Sequence, residues 1–270
     1  MNGKIVLILA LAILVLQTHP LESQVVRDGL VSYWSFDTTD VKGNTVIDLV
    51  GGNDGTILGA PKQVAGKFGD AFKFNGNPDA IDIGSPANGS LDFDDDADFS
   101  MMAWIKVDKP PELDGGQSTI VSKGDGGNNA RILWKIITTQ VNVTIANEAG
   151  AGPKLVLASA TDVVDGKWHH VLFVSDRSDA TRIYIDGKLD AEGGATKGTD
   201  LTTESRMYIG ASVRTGEATR RYFEGLIDEV GIYDRALTVD EVERNFDANG
   251  LAVSPEKKLA IAWGEIKISR

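Results

Sequence analysis

The chain has 270 residues, a formal net charge of −12 and no cysteine. Such an acidic composition disfavours nucleic acid and anionic membranes as partners, and it is compatible with calcium or neutral polymers. The length suits one all-β sandwich, whose core is large enough to be stable without disulfides.

The first 23 residues have the features of a signal peptide. Lys4 precedes an unbroken apolar run at residues 5–16, which is too short to span a bilayer. We predict cleavage after Ser23, so that the mature chain starts at Gln24 and is not inserted into a membrane; an uncleaved anchor is the alternative. The signal peptide predicts a secreted or cell-surface protein. Because a secreted animal domain of this size usually carries disulfides, the absence of cysteine predicts a bacterial origin.

Short segments that alternate apolar and polar residues recur after residue 23, separated by Gly, Asn and Asp. This pattern predicts an all-β fold, a β-sandwich of two antiparallel sheets. An irregularity at Glu224-Gly225 predicts a β-bulge in the last strand. The predicted strands lie at residues 29–36, 71–74, 80–83, 99–107, 119–122, 131–138, 141–146, 154–158, 169–174, 181–185, 207–210 and 223–233.

Three local signals add to the strand pattern near the end of the chain. Asp186-Gly187 predicts the tip of a type I′ hairpin. One short helix is predicted at residues 238–245, where Thr238 and Glu241 have the spacing of a capping box. The tail at 251–270 is β-prone and could complete its own sheet or pair with an edge strand of a neighbour, so the oligomeric state stays open.

Six segments, in the same order, resemble the motifs of LamG-like (laminin G-like) domains. They are residues 29–37, 46–56, 67–76, 99–106, 166–171 and 222–237. The resemblance covers about residues 29–246 and implies a concanavalin A-like jelly roll, with one LamG-like domain at 24–250 and the tail at 251–270 outside it. Trp34, Trp104 and Trp168 fall on motif positions and are predicted to lie in the core.

The resemblance also implies a structural calcium ion. Related domains often bind calcium where the first and last strands run close together, and calcium takes carboxylate and carbonyl oxygens as ligands. Asp37, Asp48 and Asp228 are the candidate carboxylates, and the region of Asn53 is the candidate source of carbonyls. Alternatively, these Asp side chains cap turns and loop N–H groups.

A run of acidic residues is a second, weaker candidate for a metal site. It lacks the central Gly and the terminal Glu of an EF-hand loop, and most such runs are solvated loops. The run consists of Asp92, Asp94, Asp95, Asp96 and Asp98.

A ligand could be contacted at two further places. Trp134, with Asn128 and Arg131 nearby in sequence, could stack on a sugar or touch a protein ligand, although its flanking isoleucines favour the core instead. Asp79 follows a turn at a predicted loop rim, where such sandwiches carry their ligand sites.

The chain shows no catalytic motif. It has no Gly-x-Ser-x-Gly elbow, no Cys nucleophile and no Glu-x-Asp-x-x-Glu strand of the laminarinase type. His169 and His170 are adjacent, so they are expected to point to opposite faces of a strand, one to the core and one to the surface.

These observations favour a secreted, non-catalytic recognition or adhesion module that binds an extracellular glycan or protein and carries calcium. Two alternatives stay open: a carbohydrate-active enzyme, either a glycosidase or a polysaccharide lyase, and a structural component of a cell surface or matrix. LamG-like domains serve all three roles, so the fold alone does not choose among them.

Overall fold

A computed structural model describes residues 24–85, 89–94, 96–112, 115–124, 131–147, 154–212 and 221–251. The predicted signal peptide and residues 252–270 of the predicted tail lie outside this part of the chain. In the described part, no helix is long and apolar enough to cross a membrane.

Two antiparallel sheets make up the fold, which confirms the predicted all-β sandwich. The strands are β1 (Leu30–Trp34), β2 (Val41–Lys42), β3 (Thr45–Val46), β4 (Gly55–Leu58), β5 (Lys62–Ala65), β6 (Asp70–Asn75), β7 (Ala80–Gly84), β8 (Phe99–Lys106), β9 (Gln117–Lys123), β10 (Arg131–Ile137), β11 (Gln140–Ala146), β12 (Leu155–Asp162), β13 (Trp168–Ser175), β14 (Thr181–Ile185), β15 (Lys188–Gly193), β16 (Met207–Ile209) and β17 (Glu224–Tyr233). One sheet has the strand order β15-β14-β13-β8-β17-β6-β5, with β1 also pairing with β17; the other has the order β12-β11-β10-β9-β16-β7-β4-β3-β2.

The pattern-based strands are all present, with shifted ends. β15 was indicated only as the second arm of the predicted hairpin, and β2 to β5 were not predicted. Each of these four strands has only two to four residues, so little alternation is available to detect. They form because neighbouring strands supply partners: β4 pairs with β7, and β5 pairs with β6.

The inner faces of the two sheets enclose the main core. Alternate residues of the central strands point inward, so Phe72, Phe173 and Ile227 of one sheet meet Trp134 and Ile209 of the other. Aromatic rings interlock here: Trp134 lies edge-on to Phe173, with ring centroids 5.4 Å apart.

Among the described residues there is one α-helix, α1 (Val239–Asp247), which covers part of the outer face of the eight-stranded sheet. Thr238 accepts a hydrogen bond from the Glu241 N–H, and the Glu241 side chain accepts one from the Thr238 N–H, so the predicted capping box is confirmed. Val242 packs there against Met102 and Leu172 in a second, smaller core.

The bulge of β17 is real, but its predicted position at Glu224-Gly225 is wrong. Those two residues pair regularly with β6, and the register shifts between Asp228 and Gly231 instead. Glu229 takes a φ of +54° at that point and so adds the extra residue of the bulge. The hairpin at Asp186-Gly187 has positive φ at both residues, as the predicted type I′ turn requires.

Candidate functional site

The turn between β5 and β6 brings Asp37 and Asp228 to one place. Asp228 Oδ2 accepts hydrogen bonds from the N–H groups of Lys67 (2.8 Å) and Phe68 (3.2 Å). Asp37 Oδ1 accepts one from the Asp70 N–H at 2.8 Å. The segment that follows β1 and the strand β17 therefore each bring one carboxyl group to the same turn.

Two glycines allow this close approach. A Cβ atom at Gly66 would lie 2.5 Å from Asp228 Oδ2, and one at Gly69 would collide with Asp37 Oδ1. Gly69 also has a φ of +49°, which disfavours other residues. The Lys67-Phe68-Gly69 motif is thus explained by the two carboxyl groups that the turn encloses.

Both carboxyl groups are held in surroundings that disfavour their charged forms. Burial raises the pKa of Asp228 to about 8, and the nearby charge of Asp37 adds to this effect. The pKa of Asp37 is also raised, chiefly by burial. Asp228 is completely buried, and its Oδ1 atom has no hydrogen-bond partner among the described residues.

An unsatisfied, buried carboxyl oxygen beside a second carboxyl group fits a cation. A divalent ion would offset the burial cost and the mutual repulsion, and its presence would lower both pKa values. The described residues contain no cluster of three or more Asp, Glu, His or Cys ligands. An ion here would therefore need Asp37 and Asp228 together with carbonyl and water oxygens, a ligand set that calcium accepts.

Asp48 and Asn53 stabilise a loop beside β1 by hydrogen bonds. The Asp48 carboxylate accepts hydrogen bonds from the N–H groups of Tyr33, Val50 and Asn53, at 2.9–3.0 Å. The Asn53 carbonyl oxygen accepts a bond from the Trp34 indole at 3.1 Å. Within the described chain, no hydrogen bond joins these two residues to Asp37 or Asp228, and their contacts match the turn-capping alternative.

The acidic run contributes internal contacts in its described part, and Asp95 lies outside that part. Asp92 forms a salt bridge with the buried Lys123 at 2.8 Å. Asp94 accepts hydrogen bonds from backbone N–H groups of its own turn, and Asp98 accepts one from the Arg177 N–H at 2.7 Å.

The structure buries Trp134 and Asp79, two of the residues that were predicted to contact a ligand. Trp134 has no exposed surface, so the core alternative describes its position. Asp79 is buried and accepts hydrogen bonds from the N–H groups of Ala60 and Asn75, both at 2.9 Å. Asn128 and the side chain of Arg131 lie outside the described part, although the Arg131 backbone starts β10.

The two histidines are both buried, which corrects the expected division between core and surface. His169 contacts Asp186 (2.9 Å) and Asp165 (3.1 Å), and its pKa is raised mainly by the hydrogen bond to Asp186. His170 lies against Trp104 under helix α1, and burial lowers its pKa to about 4. Neither contact provides a nucleophile.

Glu229 lies next to Asp228 in the last strand and was not predicted as a site residue. Its side chain is buried, Oε2 has no hydrogen-bond partner in the described chain, and burial raises its pKa to about 8. The positive φ at the bulge turns it away from the regular alternation of β17, so no period-2 pattern could reveal its environment.

The outer face of the nine-stranded sheet carries a buried row of side chains that is polar apart from Leu133. Tyr208, Ser122, Leu133 and Thr144 are direct cross-strand partners on β16, β9, β10 and β11. Their sequence neighbours point into the core, so this row faces away from it. One step along, Asn142 lies opposite Lys135, whose ammonium group donates to Gln117 at 2.9 Å.

Comparisons with known proteins give a family and a fold. The model of a family described as Laminin_G_3, concanavalin A-like lectin/glucanases superfamily, matches residues 75–243. A search of curated proteins finds no matching relative.

Several solved structures share the fold at low sequence identity. The binding domain of Paraclostridial Mosquitocidal Protein 1 is 17% identical, with a TM-score of 0.65 over 81% of this chain and 52% of that one. Domain 4 of AbnA, a GH43 extracellular arabinanase from Geobacillus stearothermophilus solved with arabinotriose, is 23% identical, with a TM-score of 0.57 over 82% and 98%. A mutant Trypanosoma rangeli sialidase is 22% identical, with a TM-score of 0.62 over 84% and 35%. This chain thus spans about half of the mosquitocidal binding domain.

Proposed function

This chain belongs to the concanavalin A-like lectin/glucanases superfamily, and from that premise we propose that it is an exported, non-catalytic recognition module. It binds an extracellular carbohydrate or protein and holds a structural calcium ion. The signal-peptide pattern of residues 1–23 supports export to the outside of the cell or its surface.

The observation that carries the recognition role is the polar row on the nine-stranded sheet. Hydroxyl, amide and ammonium groups of Tyr208, Ser122, Thr144, Asn142 and Lys135 lie on adjacent strands of one face, where none of these residues is more than 9% exposed. Groups with fixed positions can bind a ligand without first losing conformational freedom. Two neighbours in fold, a toxin binding domain and an arabinanase domain solved with arabinotriose, support a glycan or protein as the ligand.

Calcium is proposed to lie at the turn between β5 and β6. Asp37 and Asp228 would hold it, and the ion would supply the positive charge that two buried carboxyl groups lack. Backbone N–H groups of the turn hold the two carboxyl groups in place. The N–H of Asp70 orients Asp37, and the N–H groups of Lys67 and Phe68 orient Asp228. The role is structural, because the ion would tie the first strand, the last strand and the turn together.

A glycan array, probed with purified protein in calcium and in EDTA, tests the recognition role. The variant Asn142→Ala removes an amide from the polar row, and Asn44→Ala is a matched control. Each of the two Asn side chains donates to one backbone carbonyl, but Asn142 is buried, whereas Asn44 is exposed and lies at the β2–β3 turn. We expect binding to a defined class of glycan, lost in Asn142→Ala and kept in Asn44→Ala.

Two results would overturn this function. If neither glycan nor protein arrays retain the chain, it is not a recognition module. If the bound glycans are shortened or acquire unsaturated ends during the incubation, the chain is an enzyme and the non-catalytic assignment fails.

A further inference from the structure

A second row of side chains crosses the outer face of the eight-stranded sheet. Its five members are direct cross-strand partners on β13, β8, β17, β6 and β5, and we call them the lysine strip: Trp168, Lys106, Leu226, Lys73 and Lys62. Direct partners point to the same face of a sheet. The neighbouring residues Ile105, Ile227 and Phe72 lie in the core, so the strip faces outward.

The three lysines of the strip lack counter-charges. Lys62 and Lys73 are exposed and Lys106 is partly exposed, and none of them has a salt bridge or hydrogen bond within the described chain. Like charges directly opposite on neighbouring strands, as in Lys62 and Lys73, destabilise a sheet. In a chain with a net charge of −12, such a row of cations is a local exception that a bound anion would stabilise.

A cleft of about 370 Å³ adjoins the strip at Lys73. Its volume falls within the range of small-ligand sites, and its other polar residues are Asn75, Asp108, Lys109 and Glu224. Lys109 and Glu224 form an ion pair across it at 3.3 Å. The strip and the cleft together contain four lysines and two carboxylates, so this surface keeps a net positive charge.

Trp168 supplies an aromatic surface at one end of the strip. It is half-buried, which corrects the prediction that it lies in the core with Trp34 and Trp104. Among the described residues, no other aromatic ring or cation packs on the Trp168 ring. An indole with one free side offers apolar contact area to the flat face of a sugar ring.

We propose that the lysine strip and its cleft bind an acidic polysaccharide, one with a single carboxylate on each charged sugar, lying across the strands. Adjacent strands are about 4.8 Å apart, so the lysines are spaced by about 5 and 10 Å, which matches widely spaced single charges better than dense ones. Lysines present point charges rather than the two-pronged guanidinium groups that favour phosphate.

The tail of the chain itself does not complement the strip. Residues 252–270 contain four cations, Lys257, Lys258, Lys267 and Arg270, against Glu256 and Glu265. The proposed ligand class rests on the recognition role proposed above, but it assigns a different face of the sandwich from the polar row.

Binding of the full chain to polygalacturonate, measured by affinity electrophoresis at low ionic strength, tests the proposal. The double variant Lys73→Gln/Lys106→Gln removes two charges of the strip. The control Lys42→Gln/Lys188→Gln removes two exposed lysines elsewhere, on β2 and β15. Each lysine is expected to contribute about threefold to the affinity. The strip variant should therefore bind about tenfold more weakly than the parent, and the control should bind as tightly as the parent. Added salt should weaken binding of the parent.

Trp168→Ala is a second probe, and thermal unfolding checks that each variant is folded. It should weaken binding of polygalacturonate without changing the salt dependence, because it removes apolar contact and no charge. The proposal is overturned if the parent does not bind polygalacturonate, if the control and strip variants weaken equally, or if single-stranded DNA binds as tightly. Binding lost in Asn142→Ala but kept in the strip variant would refute the strip while leaving the recognition role in place.

Discussion

Replacing Asp228 with Asn removes the buried carboxyl group that lies between the last strand and the β5–β6 turn. An amide is similar in shape, and its oxygen can still accept the hydrogen bonds of Lys67 and Phe68. The substitution therefore removes the group that titrates and changes little else at the site. In the absence of metal, we expect Asp228→Asn to stabilise the protein at neutral pH and above.

The size of the effect follows from the pKa. Because the folded pKa of Asp228 is about 8 and the ordinary value is 3.8, folding takes up a proton between these pH values. The stability that the neutral carboxyl group contributes is fully present below pH 3.8 and is lost as the pH rises through about 8. At pH 7 the loss amounts to up to about 4 kcal/mol, and Asp228→Asn should avoid it.

Urea unfolding in EDTA, followed by tryptophan fluorescence at several pH values between 5 and 8, measures this difference. The gain of Asp228→Asn over the parent should grow with pH, and at pH 7 it should appear in thermal unfolding as about 10 °C. Excess calcium should raise the stability of the parent by about 3 kcal/mol at 100 times its Kd, and it should not stabilise the variant.

Asp190→Asn is the matched control. Asp190 also accepts hydrogen bonds from two backbone N–H groups, those of Ala160 and Thr161, but it does so in exposed surroundings. This variant should show no gain that grows with pH. If Asp228→Asn is instead destabilised by the same amount at every pH in EDTA, Asp228 is an ionised structural acceptor and the reasoning is wrong.

Substitutions at Glu229 and Thr238 and a titration of the two histidines test other parts of the structure. Glu229→Gln should raise the metal-free stability at pH 8 by a few kcal/mol, because burial raises the pKa of Glu229 to about 8. Urea unfolding should show that calcium still stabilises this variant as much as the parent. Loss of the calcium response would place Glu229 in the metal site. Thr238→Ala should lower the free energy of unfolding by about 1 kcal/mol through loss of the capping box, and Thr238→Ser should restore most of it; equal losses would contradict the cap. In an NMR titration, His169 should lose its proton above pH 6.5 and His170 near pH 4, whereas a normal value for His170 would show that its ring reaches water.

Much of the fold is encoded in short stretches of sequence. Alternation over five to ten residues identifies the central strands, since each inward side chain must be apolar. Thr238 and Glu241 need only three residues of separation to cap α1, and Asp186-Gly187 needs only its own backbone to turn. The short strands β2 to β5 have too few residues for such signals, so they form because neighbouring strands supply pairing partners.

The candidate sites depend on which strands become neighbours. Sequence alone offered Asp37, Asp48 and Asp228 as candidate carboxylates, with Asp37 and Asp228 preferred. Only the folded chain surrounds Asp48 with three N–H groups and leaves Asp228 Oδ1 without a hydrogen-bond partner among the described residues. Glu229 depends on a bulge one residue long, which no periodic pattern detects.

The tryptophans and the lysines show the same limit. Trp134 and Trp168 both sit in alternating strands, yet one is enclosed between the sheets and the other lies half-exposed on an outer face. The lysine strip joins residues from 62 to 226, and its alignment arises from the register of five strands. Sequence determined the class of fold because periodicity is local, whereas burial and charge at each site required the tertiary structure because they depend on distant neighbours.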